Sequence, residues 1–158
     1  MRVISSMTLV GTVAFLATLA AAAVPPGMAG SWGYTETGTL QFQNRAGTSF
    51  AKPSGSSEKL TINSDGTFRQ QVLLQQSMYS CTTTLFLVVT GHVIVNGPRV
   101  EFHREGGHLS SKDNCHPRYN YEKQAVREVI SFDGWTVANS QLLLTSQGKL
   151  KFRYKREN

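Results

Sequence analysis

The chain has 158 residues, a formal net charge of +6, 40% hydrophobic and 16% charged residues, and two cysteines. That length holds one ordinary domain with a single core once an export signal is set aside. Such a balance excludes a disordered polyelectrolyte. No stretch beyond residue 23 repeats apolar residues at helical spacing, which excludes a helix bundle; the Val, Leu, Thr, Phe and Tyr content favours strands.

In chain order, Met1-Arg2, the apolar run from Val3 and the small residues Ala21-Ala22-Ala23 read as a cleaved secretory signal, residues 1–23, with no cysteine following to take a lipid. Residues 24–29, Val24-Pro25-Pro26-Gly27-Met28-Ala29, form an extended leader in which proline prevents a helix. The domain spans 30–158. Trp32 to Phe42 reads as a first strand, kinked near Gly38. The Gly/Ser/Thr-rich stretch Arg45 to Ser57 reads as a loop beside an opening. Leu60-Thr61-Ile62, the turn Asn63-Ser64-Asp65-Gly66 and Thr67-Phe68 to about Gln75 form a hairpin. Thr82 to Val95 is apolar on both parities and is expected to be a central strand bent at Gly91. Asn96-Gly97-Pro98 turns it into Val100 and Phe102. Gly106 to Arg118 reads as a polar loop, and Tyr119 to Phe132 as one strand, with Asp133-Gly134 a bulge or turn. Two tight hairpin steps follow through Ala138-Asn139-Ser140 and Ser146-Gln147-Gly148 to the alternating segment Leu150 to Tyr154. The expectation is an all-β antiparallel up-and-down barrel of about eight strands.

Cys81 and Cys115 both lie in the exported part, where an oxidising compartment would join them, closing a loop worth about 3 to 4 kcal/mol in the chain-entropy model. Lys149, Lys151, Arg153 and Lys155 alternate with Leu150, Phe152 and Tyr154, the pattern of a strand with a core face and a solvated face. A dedicated anion site on this face is the alternative. Arg156 shares the parity of the core residues at the strand end.

Gly30-Ser31-Trp32, Leu60-Thr61-Ile62-Asn63-Ser64-Asp65-Gly66-Thr67-Phe68, and Trp135 to Thr145 with Gly148 to Tyr154, taken in order, resemble the small bacterial lipocalin-like domains of the calycin superfamily. The resemblance runs over the whole mature domain. It implies that Trp32 plugs the closed end of a barrel beneath a basic side chain from the last strand. Parity assigns that role to Arg156, as a cation–π contact of roughly 0.5 to 2 kcal/mol. The second and third signature motifs of true lipocalins and a C-terminal helix do not occur.

The chemistry-bearing residue types form no recognised constellation. His103, His108, Cys115 and His116 lack zinc-finger or zincin spacing, so no metal is assigned. There is no Gly-x-Ser-x-Gly elbow, and Gly106-Gly107 has no phosphate-loop context. Glu101, Glu105, Glu122 and Glu128 read as solvated, and no cofactor is implied. The apolar set Phe68, Val72, Leu74, Phe86, Val88, Val100, Phe102, Val126, Ile130, Leu142, Leu144, Phe152 and Tyr154 is expected inside the barrel. Of these, Phe68, Val72, Phe86, Val88, Phe102, Phe152 and Tyr154 are the ligand-lining candidates. The first reading is a secreted or periplasmic, non-catalytic, monomeric binding module for a small apolar or amphipathic ligand. It binds no nucleic acid and keeps no membrane span after cleavage. A filled barrel using its basic surface on an acidic partner or envelope is the alternative, and a barrel-hosted isomerase or cyclase the third.

Overall fold

The computed structural model describes residues 24–38, 54–78 and 80–157. The expected signal segment 1–23, residues 39–42 of the expected first strand and most of the expected Arg45 to Ser57 loop lie outside the described residues. Ten strands follow one another: β1 (Gly30–Thr37), β2 (Gly55–Ile62), β3 (Thr67–Met78), β4 (Cys81–Asn96), β5 (Arg99–Asp113), β6 (Tyr121–Gln124), β7 (Glu128–Phe132), β8 (Gly134–Ala138), β9 (Gln141–Ser146) and β10 (Lys149–Arg156). One turn of 3-10 helix, Pro117–Tyr119, precedes β6.

The turns are set locally. Asp65 accepts hydrogen bonds from the backbone N–H and hydroxyl of Thr67 (2.9 and 2.7 Å), closing the β2–β3 turn, and these bonds hold its carboxyl below the usual aspartate value. Asn139-Ser140 and Gln147-Gly148 each place two successive residues at positive φ, the two-residue hairpin geometry that matches strand twist.

All pairings are antiparallel, and the sheet runs β6-β5-β4-β3-β2-β1-β10-β9-β8, with β7 also on β5. The expected closed barrel of eight strands is therefore corrected to an open sheet of ten, nine along the path and β7 beside it. No ladder joins β7 to β8; these consecutive strands, parted by Asp133, pair with β5 and β9 at opposite ends of the path. Side chains span the gap: the Phe132 ring packs edge-on against Phe152 at 5.9 Å, and Trp135 Nε1 donates to the Gly97 carbonyl at 2.9 Å. The count exceeds the expectation partly because Ala125 to Arg127 interrupts the Tyr119 to Phe132 segment. Gly106 to Asp113, expected as loop, instead continues β5 in register with Thr83 to Thr90 of β4.

The core gathers at one pole: Trp32, Leu60, Ile62, Phe68, Val93, Val100, Phe102, Phe132, Leu142 and Leu144 are buried. The leader belongs to it. Val24 and Met28 are buried, and Met28 N–H closes a turn onto the Pro25 carbonyl at 2.8 Å, so residues 24–29 are a folded plug rather than an extended tether. Cys81 and Cys115 are disulfide-bonded, their Cα atoms 5.4 Å apart.

Candidate functional site

Cross-strand register sorts the inward side chains into tiers. At the closed pole, Trp32 is fully buried and its Nε1 donates to the Met28 carbonyl at 2.8 Å. Arg156 lies over the indole, 4.3 Å from the ring centroid, and donates to the carbonyls of Gly27 and Ala29 at 2.7 and 3.2 Å. Gly30 has φ +141°, and a Cβ there would stand 2.5 Å from the Arg156 guanidinium, so the opening Gly-x-Trp is one packing unit.

Above the apolar tier stands a polar one that sequence reading missed. Glu58, only 8% exposed, accepts from Tyr154 Oη at 2.5 Å and from Gln70 Nε2. Arg104 donates to Gln70 Oε1 at 2.7 Å and to Glu128. Arg104 Nε is buried without a partner among the described residues. Tyr34 extends the tier, its ring edge-on to Tyr154 at 6.3 Å and its hydroxyl donating to Glu36 at 2.7 Å. Burial, and then the negative charge of Glu58, push the Tyr154 hydroxyl well above its ordinary 10.0. The hydrogen bond to Glu36 raises Tyr34 in the same direction. The signal was parity: Glu58, Gln70 and Arg104 share the alternation of Leu60, Phe68 and Phe102, polar residues standing in core rows.

Two spaces flank this tier. An internal cavity of about 50 Å³ lies among Phe102, Arg104, Ile130, Phe132, Phe152 and Tyr154. At the end away from Trp32, Glu36, Gly38, Ser54, Ser56, Leu74 and Leu85 border a groove of about 610 Å³. Leu74 is 44% exposed there.

Of the ligand-lining candidates, Phe68, Phe102 and Tyr154 are buried, Phe152 is half-buried against the cavity, and Val72 lies opposite Glu58 on an inward row. Phe86 and Val88 are corrected. They pair with Leu73 and Gln71 on the outer face, whereas Leu85, Leu87 and Val89 form the inward row. Val126, expected inside, is 72% exposed. Leu150 is exposed because the β9–β10 register shifts between Leu150 and Phe152.

The histidines do not converge. His92 meets Glu105 at 2.9 Å, and His103 meets Glu101 at 3.0 Å. That last bond, aided by Arg99, holds the Glu101 carboxyl below its usual value. Among the described residues no group of three or more His, Cys, Asp or Glu side chains is placed to hold a metal, and no helix is long and apolar enough to cross a membrane.

The fold and site define an antiparallel ten-stranded β domain with a plugged pole, a polar interior tier and a grooved opposite end. Compared with protein-family models, curated proteins and solved structures, the chain matches none.

Proposed function

We propose that the protein is an exported, non-catalytic binding module that takes a small amphipathic molecule at the grooved end. In this reading residues 1–23 are removed on export, and the domain is an open variant of the lipocalin-like arrangement, in which side chains such as Phe132 on Phe152 and Trp135 on the Gly97 carbonyl bridge the gap between β7 and β8 that no ladder closes. The groove carries the proposal. Its volume of about 610 Å³ falls within the range of small-molecule sites, while the 50 Å³ internal cavity is far below it. Leu74 and Leu85 offer apolar wall; Glu36, Ser54 and Ser56 supply the polar rim, and the Glu36 carboxylate favours a neutral or cationic head group over an anionic one. The disulfide accords with an oxidising compartment.

Titration with a neutral naphthylamine dye tests this. The dye should brighten on binding the full chain, and Leu85→Arg should weaken binding about tenfold or more with an unchanged melting temperature, since a guanidinium would fill the apolar wall. Dye binding indifferent to Leu85→Arg, or no binding to the folded protein, overturns the reading.

A further inference from the structure

Charge is segregated on the outer face of the sheet. Arg153 and Lys155 of β10 and Arg69 of β3 are exposed on outward rows, and Lys149 and Lys151 are exposed beside them, where the register shift sets Leu150 opposite the outward Thr145 and Lys149 opposite Ser146. None of these five has an ion-pair partner among the described residues. Register joins them across strands: Lys155 lies opposite Gly33, Gly33 opposite Lys59, and Thr61, next outward on β2, opposite Arg69. Of the nearby carboxylates, Glu36 and Glu58 occupy inward rows. Glu157 reaches across Gly33, where a Cβ would stand 2.5 Å from its Oε1, to pair with Lys59 at 2.8 Å. The cations of β10 are left unneutralised.

The shape of this patch selects the partner. Arg153 and Lys155 stand about 7 Å apart on the outward row, Lys149 and Lys151 extend the exposed charge past the register shift at the start of the strand, and three strand spacings carry the face about 14 Å sideways to Arg69. The cations converge on no point, so a single small anion would touch only one or two of them. Lysine dominates, a point charge on a flexible stem rather than a bidentate fork for one phosphate. Single-stranded nucleic acid needs aromatic platforms between the cations. Here the intervening outward residues are Ser31, Gly33, Thr35, Ser57, Thr61 and Gln71, and Phe152 and Tyr154 are turned inward. A flat, extended anionic surface is the partner that can meet all the cations at once. We infer that the outer face of β10, β1, β2 and β3 is a docking surface for an anionic phospholipid bilayer.

Vesicle sedimentation of the full chain tests it, using vesicles of equal parts phosphatidylglycerol and phosphatidylcholine against pure phosphatidylcholine. Binding should require phosphatidylglycerol and fall as salt shortens the range of the interaction. The variant Lys149→Gln/Lys151→Gln/Arg153→Gln/Lys155→Gln should lose about fivefold per cation, on the order of several hundred-fold together. The control Lys112→Gln/Arg118→Gln/Lys123→Gln/Arg127→Gln removes the same charge from exposed sites elsewhere and should lose far less. Thermal melts establish that both variants fold. Equal binding to neutral vesicles, equal losses in the two variants, or tighter binding to single-stranded RNA that disappears in the β10 variant would each overturn the assignment.

Discussion

Tyr154 shows how one side chain joins the two halves of the interior. Its ring packs against Phe152 and Tyr34, while its hydroxyl donates to the buried Glu58 carboxylate at 2.5 Å. A hydrogen bond to a charged acceptor contributes about 1.5 to 3 kcal/mol, so Tyr154→Phe should cost about that much at neutral pH, read from urea melts. The sign of the pH dependence follows from the raised hydroxyl. The unfolded chain loses this proton near 10.0 and the folded protein holds it, so the stability it confers is complete below pH 10 and declines as pH rises beyond it. Wild type should therefore lose more stability than Tyr154→Phe between pH 9 and pH 11, the remaining loss coming from groups such as Tyr34. Parallel alkaline limbs for the two proteins would show that Glu58 and Tyr154 are not coupled as described. Of this tier Tyr154 was legible in the sequence, as an aromatic at a core position. Its partners Glu58, Gln70 and Arg104 are long polar residues, whose ordinary place is the surface, and only their parity marked them.

At the scale of the element, β4 and β5 show where alternation informs and where it fails. In Leu85-Phe86-Leu87-Val88-Val89 both parities are apolar, and bulk pointed to Phe86 and Val88 as the inner pair. The exposed His92, sharing their parity further along, was the informative residue, because the inward row runs through Gly91, Val93 and Val95. A Cβ at Gly91 would stand 1.8 Å from the His103 carbonyl, so this glycine admits the close strand approach at the register shift between Thr90 and Gly91. Val89→Ser should thus destabilise by about 2 to 4 kcal/mol, through lost burial and an unpaired hydroxyl, and Val88→Ser by less than about 1 kcal/mol. Denaturant melts that rank the two variants the other way would reverse the assigned faces. The extension of β5 through Gly106 to Asp113 was hidden for a different reason. His108-Leu109-Ser110-Ser111-Lys112-Asp113 has little intrinsic strand preference, and its conformation comes from the long neighbouring strand β4, an influence distant in sequence.

Across the whole molecule the hydrophobic core and the disulfide lie at different ends of the long strands. Trp32, Met28 and the buried aromatics hold the plugged pole, whereas Cys81 and Cys115 fasten the far ends of β4 and β5 beyond the core rows. That far end has its own polar lacing. Asn114 Oδ1 accepts from Thr82 N–H at 2.6 Å, and Asp113 Oδ1 accepts the N–H groups of Cys115 and His116, each at 2.8 Å, which holds the Asp113 carboxyl below the usual range. Removing the bridge should therefore act on the unfolded chain more than on the native register. Cutting a loop with a sequence separation of 34 frees about 3 to 4 kcal/mol of chain entropy in the unfolded state. For a domain of this size that corresponds to a fall in melting temperature of roughly 10 to 20 °C for Cys81→Ser/Cys115→Ser. Because the Asp113 and Asn114 bonds and the β4–β5 ladder persist, the variant should keep the far-ultraviolet dichroism of the wild type and its dye affinity at low temperature. A melting temperature shifted by less than about 3 °C would show that the bridge constrains nothing the fold does not already hold. Loss of strand signal at low temperature would show instead that the far ends of β4 and β5 depend on the bridge for their pairing.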